Sequence, residues 1–423
     1  MRLPPALADR GYRLFIAGNF FSLQGMWAQR TIIGWLAWEL TGSAASVGFI
    51  AFLSFSPTLV SGPIFGVLAD RSDLRRAALM VQVAMIAVSL LLVAAIASGM
   101  LTMPLLSAVA LALGVTVSAH HPIRMALTPR LAPRNALANA IAISSLNFNL
   151  ARLSGPVAGG YAIAHFGAAP AQAAVAVLML PVAWVLLRIH PRERTGPPPI
   201  SAGFLASLRE GARYAVAHPS IRSAMVLTIV FATIVRGLME LLPVIADGVF
   251  ARGASGLGEL MAAAGAGALA AALWLASGDA VRETDGAPPS PPLRTLLALY
   301  FGFAAVGALS IAPSWPLALA TTVLIGFCST LVGVTMQSIV QIAVDDAHRG
   351  RVMSLWIMVG IGSASLGALA MGAMAELIGV ATTLQISAGS GAGFIAALMA
   401  ADYRRRRISR SSASRKRDRS ALE

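Results

Sequence analysis

Long apolar runs follow one another along nearly the whole of this chain, each close to the ~20 residues that carry a helix across a bilayer. The hydrocarbon core holds no water to satisfy backbone N–H and C=O groups, so only helices or closed barrels can span it. Barrel strands alternate polar and apolar residues over segments of about ten, whereas these runs are continuous and rich in Ala, Leu and Gly. The pattern predicts an all-α integral membrane protein. Spans are expected near 14–38, 44–68, 77–98, 104–125, 139–164, 169–188, 223–246, 256–277, 295–312, 316–342, 352–375 and 380–401. Twelve spans occupy roughly 240 residues of the 423, in keeping with a chain that is 57% hydrophobic and only 12% charged. The single Cys328 excludes a disulfide framework and a thiolate metal site. Adjacent His120 and His121 point about 100° apart on a helix and have no carboxylate at ligand spacing. There is also no Gly-x-x-x-x-Gly-Lys-Ser/Thr loop to cradle ATP, so no metal or other cofactor is expected. The opening MRLPPALADRGYR has no apolar stretch ahead of a cleavage site, and the first span is expected to serve as the insertion signal.

The net charge of +14 has a topological origin. With both termini in the cytoplasm, 28 of the 32 Lys and Arg residues fall on the cytoplasmic side, Arg30, Arg152 and Arg236 lie inside spans, and only Arg252 is outside. The positive-inside rule then predicts this orientation, and no nucleic-acid partner is needed to explain the basic residues. Gly155, Gly160 and Gly167 recur 212 residues later as Gly367, Gly372 and Gly379. That repeat predicts two pseudo-symmetric six-helix halves, residues 1–188 and 223–401. In the cytoplasmic connector, 189–222, Phe204, Leu208, Ala212 and Ala215 share a helical face while Arg209, Glu210 and Arg213 lie mostly off it, the pattern of an interfacial helix on the inner leaflet. The stretch VRETDGAPPSPPLR between spans 8 and 9 is too proline-rich to fold. Residues 402–423 are expected to be an unfolded basic cytoplasmic tail that attracts anionic lipids.

Charges inside a bilayer cost ~2.5–3.5 kcal/mol each on insertion scales and persist where they face protein or water. Span 1 carries Asn19, Gln24, Gln29 and Arg30, wound around much of the helix; Arg30 is expected either to face a central cavity or to bond a neighbouring helix. In span 5, Asn149 and Arg152 are three apart and share a face. In span 7, Arg236 and Glu240 are four apart, the spacing of an intrahelical ion pair. Such a pair either only lowers the insertion cost or serves proton coupling, since Glu240 is the only carboxylate well inside a span. Asn19, Gln24, Arg30, Asn149, Arg152, Arg236 and Glu240 are therefore the substrate or proton candidates. Glu39, Asp247, Glu259 and Glu376 fall near outer span ends and are expected to be interfacial. Three in-span arginines against one carboxylate point to a cargo that is at least partly anionic.

After span 2, Gly66-Val-Leu-Ala-Asp70-Arg71-Ser-Asp73-Leu-Arg75-Arg76 resembles the loop signature of the major facilitator superfamily, Gly-x-Leu-Ala-Asp-Arg-x-x-Arg-Arg. In span 5, Ala151-Arg152-Leu-Ser-Gly155-Pro156-Val-Ala-Gly159-Gly160 looks like that family's export signature. Pro122-x-Arg124 followed by TPRLAPRNALANAIA, then NLARLSGP, LLPVIAD and Arg349-Gly350-Arg351, are similar to the transmembrane secretion effector branch. The resemblance implies twelve helices in two six-helix halves around a cavity that opens to one side at a time. It further implies a secondary transporter in the bacterial cytoplasmic membrane, expected to be monomeric, that exports an amphiphilic small molecule such as a siderophore, drug or metabolite, with protons as the coupling ion. An importer of the same fold and a non-transporting membrane sensor are the alternatives; no nucleophile, base and orienting group assemble for an enzyme. By the same resemblance Gly66, Asp70, Arg71, Asp73, Arg75 and Arg76, with His120 and Arg124, form an inner gate in which Asp70 faces the start of span 11 near Arg351 to Ser354. Two departures stand out. The upper part of span 4, LLSAVALALGVTVSA, lacks the Arg of many drug antiporters, and His120 stands where relatives often carry an acid.

Overall fold

One to five residues separate successive helices within the first half, and loops that short force neighbours to run antiparallel. The computed structural model describes residues 4–71, 73–192, 204–277, 291–346 and 348–420; the side chains of 60–64, 66–71, 134, 204–207 and 401–420 lie outside the described residues. The first half comprises α1 (Arg10–Thr41), α2 (Ala44–Arg71), α3 (Leu74–Ala97), α4 (Met103–Leu131), α5 (Leu137–Phe166) and α6 (Ala168–Arg188), and the connector contains α7 (Phe204–Ala217). The second half comprises α8 (Pro219–Phe231), α9 (Gly237–Glu240), α10 (Gly253–Ala276), α11 (Leu293–Ser310), α12 (Trp315–Ala343), α13 (Arg349–Ile378) and α14 (Val380–Ser420). A π turn, Ala232–Arg236, joins α8 to α9, and a second, Val244–Val249, follows. No strand occurs among the described residues.

Among the described residues nine helices are long and apolar enough to cross a membrane. Neither α1 nor α5 is one of them, although they have 32 and 30 residues. Polarity excludes them, not length, and these are the two helices that carry Arg30 and Arg152. The segment expected as one plain span at 223–246 is instead interrupted twice by π turns. The tail also departs from expectation. The backbone stays helical to Ser420, because a helix already nucleated in α14 extends through strong helix formers such as Arg, Lys and Ala without a fresh initiation cost. The side chains of Arg404 to Arg407, assigned to lipid contact, lie outside the described residues.

The repeat is visible in backbone conformation. Single glycines, Gly167 and Gly379, connect α5 to α6 and α13 to α14 with φ of 81° and 82°, a region open to glycine at little cost. The halves meet through equivalent pairs, α5 against α10 and α2 against α13. Both contacts are backbone to backbone. A Cβ on Gly160 would lie 2.7 Å from Cα of Gly258, and one on Gly48 would overlap the carbonyl of Ala368. Small residues of this kind let membrane helices approach closely. These contacts sit at the end of the bundle away from α7, here termed the far end.

At the connector end, α7 docks on the start of α13 instead of lying only along a lipid surface. Gly211 and Ala215 are buried, and Glu210 accepts from Arg351 Nη1 at 2.6 Å. Tyr214 stacks on His348 with ring centroids 4.3 Å apart, and its hydroxyl accepts from Asp345 N–H at 3.3 Å. The charged residues Arg209, Glu210 and Arg213 stay exposed, as the sequence pattern predicts.

Because the far end closes through glycine backbones, a side chain there acts against the closed state alone. Gly372→Leu should overpack Ala44 at a typical cost of ~1–3 kcal/mol, shifting the equilibrium away from far-end closure by about 5- to 150-fold. Alkylation of a Val47→Cys probe, buried in the closed state, measured in a Cys328→Ser background, should accelerate accordingly. An unchanged rate would show that this interface does not control closure.

Candidate functional site

Three helices from the two halves bring their in-span charges together. Arg30 of α1 donates from Nε to Glu240 Oε2 at 3.2 Å, and its Nη2 bonds Glu240 Oε1. Side-chain exposures of 25% and 18% describe a pair enclosed by protein but reachable by water. The guanidinium also lies 3.7 Å from the ring centroid of Phe55 and 5.4 Å from that of Trp27, a cation–π cradle that holds it in place. Arg30 therefore bonds across the halves, combining the two roles open to it in the sequence.

The spacing rule that pairs Arg236 with Glu240 fails here. Arg236 ends the π turn Ala232–Arg236, where i→i+5 bonding disturbs the register that would stack residues four apart. Its guanidinium turns toward α12 and α13, where glycines make room: a Cβ on Gly333 would lie 2.8 Å from Arg236 Nη2, and one on Gly360 3.9 Å from Nη1. Among the described residues Arg236 forms no ion pair, and it feels the positive charges of Arg152 and Arg30. Arg152 of α5 is solvent-exposed. Among the described residues only Arg30 bonds Glu240, and Arg152 and Arg236 have no carboxylate partner. Beside them Gln24 Nε2 donates to Ser154 Oγ at 2.7 Å, tying α1 to α5.

Other candidates are placed elsewhere. Asn149 is exposed and spends its amide on the Ser145 carbonyl at 2.9 Å. Asn19 lies three turns from Arg30 along α1, in a small cavity inside the first half that His120 and Arg124 also line. His120 and Arg124 sit within α4, which runs to Leu131 past Pro122 and Pro129, so they belong to the interior of the half and not to the loop. Gly66, Asp70 and Arg71 fall at the end of α2 with side chains outside the described residues. Asp73 caps α3, accepting from the backbone N–H groups of Arg75 and Arg76 at 3.0 and 3.3 Å. Arg75 Nε donates to the Leu186 carbonyl at 2.8 Å, closing the carboxy-terminal end of α6, a favourable place for a cation. Arg76 pairs with Asp73 at 3.4 Å on the surface. In the span-5 motif each glycine meets a different neighbour: Gly155 packs on Trp27, Gly159 on Ala28 and Gly160 on Gly258.

Sequence reasoning missed how the outer acids act. Asp247 accepts from Trp38 Nε1 at 2.8 Å and Glu376 from Ser43 Oγ at 2.9 Å, and both bonds cross between the halves. Glu259 accepts from Trp315 Nε1 at 2.7 Å within the second half, while Glu39 is exposed. Among the described residues every hydrogen bond or ion pair joining the halves lies between mid-helix and the far end. The molecule is closed at the far end.

The sequence profile of the transmembrane secretion effector family matches residues 4–420. The chain belongs to that family. It is 26% identical over 374 residues to the enterobactin exporter EntS of Escherichia coli, covering 84% of this chain and 82% of the relative, and the Escherichia fergusonii protein matches equally. Among solved structures, the nucleoside transporter NupG superposes with a TM-score of 0.68 at 12% identity, covering 92% of this chain and 98% of that one. A bacterial homologue of the human lysosomal transporter Spinster, inward-facing and unoccupied, gives 0.67 at 16%, covering 87% and 83%. These likenesses establish the fold of a major facilitator transporter: a multi-pass membrane protein, not an enzyme.

If Arg30 and Glu240 act as one cross-half contact, their substitutions should be non-additive. Arg30→Gln and Glu240→Gln should each lower the detergent Tm, and the double variant should lose less than their sum by a coupling energy of ~0.5–3 kcal/mol. The charge-reversed pair, Arg30→Glu with Glu240→Arg, should recover stability relative to either reversal alone. Strict additivity would dissolve the pair as an energetic unit.

Proposed function

We propose that this protein is a proton-coupled exporter of an amphiphilic anion, with the connector end and both termini in the cytoplasm of a bacterial cell. The observation that carries the reading is that Arg236 feels the charges of Arg30 and Arg152 while, among the described residues, the one in-span carboxylate near them, Glu240, is already bonded by Arg30. In-span cations without counterions are costly, and a cargo anion entering from the connector end is the missing partner. Trp27 and Phe55 lie against Arg30, with Phe148 edge-on to Trp27, and suit the apolar part of an amphiphile. The basic loops and tail at the connector end support its cytoplasmic placement. The export activity named for the Escherichia relatives, together with the span-5 pattern Arg152, Gly155, Pro156, Gly159 and Gly160, favours outward movement.

Alternating access follows from the chemistry of the bridge. Arg30–Glu240 is intact in the far-end-closed state, where it joins α1 to α9. A cargo carboxylate or phenolate competes with Glu240 for Arg30, and a proton on Glu240 removes the charge that Arg30 holds. Either event loosens the same contact, so cargo and proton act on one lock. An anion that takes Arg30 from Glu240 favours a proton on Glu240, so this contact alone links cargo and proton in the same direction; antiport requires in addition that the cargo displace the proton.

Proteoliposomes test this directly, with enterobactin and a matched series of amphiphilic anions and cations as cargo. A pH gradient should drive the anions and not the cations. Arg152→Gln and Arg236→Gln should each raise the half-saturating anion concentration about tenfold, as expected for loss of a charge-assisted contact of ~1.5–3 kcal/mol. Glu240→Gln should lose pH-driven accumulation while retaining downhill exchange. Equal handling of anions and cations, with unchanged variants, would overturn the reading.

A further inference from the structure

A second cationic site lies inside the first half, separate from the cargo cavity. α1, α3, α4 and α6 enclose a cavity of about 20 Å³ lined by Asn19, Gln82, His120 and Arg124, with Phe15 and Val182 among its apolar walls. Arg124 is 5% exposed and Asn19 1%, and two of their donors, Arg124 Nε and Asn19 Nδ2, are sealed from solvent with no acceptor. Gln82 cannot serve them: its Nε2 donates to Ser22 Oγ and to the Met179 carbonyl, both at 3.0 Å, and its Oε1 accepts from Ser22 at 3.2 Å. The face of Arg124 rests on Phe148, 5.2 Å from the ring centroid, which steadies the guanidinium without neutralising it. No carboxylate pairs with it among the described residues.

We infer that this cavity binds a monatomic anion, chloride in the cell, held by Arg124 Nε and Asn19 Nδ2. A water would answer the two orphaned donors, since a cavity above ~10–15 Å³ admits one, yet water leaves a buried positive charge uncompensated, and that charge is the larger cost. The space admits an ion of atomic size and excludes a phosphate or a metabolite, which separates this site from the three-arginine cargo site. His120 also lines the cavity. The bound ion ties α1 to α4 and, through Phe148, to α5, so halide occupancy stabilises the first half as a rigid body.

The experiment compares thermal unfolding of the purified protein in detergent across a titration of sodium chloride, sodium bromide or sodium gluconate at constant ionic strength. Chloride and bromide should raise Tm by several degrees in a saturable way, as a ligand of the folded state does, and gluconate should not. Arg124→Gln should abolish the halide-specific rise, and Asn19→Leu should weaken the apparent halide affinity about tenfold or more, in line with a lost hydrogen bond to a charged group. Crystals grown in bromide should show an anomalous peak beside Arg124 Nε and Asn19 Nδ2, a reading independent of whether Arg124→Gln folds. A Tm indifferent to halide, a halide effect unchanged in Asn19→Leu, or an empty cavity in bromide would each overturn the site, the last pointing to water.

Discussion

Arg30 and Glu240 belong to different halves, and their ion pair is the contact around which the central charges of this protein are arranged. Arg30 stays in the membrane because Glu240, Phe55 and Trp27 compensate it; Arg152 and Arg236 are held nearby without such help. A bridge between two bodies differs from a bridge within one. It stabilises only the arrangement in which those bodies are close, and therefore contributes to a conformational equilibrium more than to the fold itself. An ion pair reachable by water suits this use, since it can be broken without stranding a fully buried charge.

The rest of the interface makes that equilibrium responsive. Apolar association between helices is weak in lipid, because the tails are as apolar as the side chains, so contact between the halves depends on close packing and on a few polar bonds. Here the packing is glycine on backbone, at Gly160 with Gly258 and at Gly48 with Ala368. The polar bonds include Arg30–Glu240, Trp38–Asp247 and Ser43–Glu376. These three use an acid, so protonation loosens each of them, while the bond from Ser365 Oγ to the Phe52 carbonyl is indifferent to it. Inside each half the contacts are different in kind. Tyr12 donates to the Ala140 carbonyl at 2.7 Å and Gln172 to Ser89 at 2.7 Å, both buried, and these bonds hold the first half together as it moves.

Much of this was legible in the chain because a bilayer penalises error. Span positions and the equivalence of Gly167 with Gly379 followed from run length and a fixed repeat, and the described helices lie within a few residues of those positions at most ends. The site residues were conspicuous for a related reason: an arginine or glutamate in an apolar run needs a partner, so Arg30, Arg152, Arg236 and Glu240 announce themselves. Their pairing was hidden. Spacing of four predicts Arg236 with Glu240 only in an unbroken α-helix, and no local signal in Ala232–Arg236 marks a π turn. Asn19 was grouped with Arg30 because both lie on one helix, whereas three turns of separation place them in different cavities. The connector helix α7 showed an apolar face, but whether lipid or α13 covers it depends on the tertiary position of Arg351 and His348, which periodicity does not encode.

The central claim is that the Arg30–Glu240 bridge holds the far end closed, and distances between spin labels at the two ends test it most directly. Labels at Met100→Cys and Ile311→Cys report the far end, where both positions are largely exposed, and labels at Arg76→Cys and Leu293→Cys report the connector end, in a Cys328→Ser background. In the parent protein the far-end distance should be short and narrowly distributed. Replacing Glu240 by Gln should populate a second state with a longer far-end distance and a shorter connector-end distance, the two changes appearing together. Identical distributions at both ends in the parent and in Glu240→Gln would contradict the account.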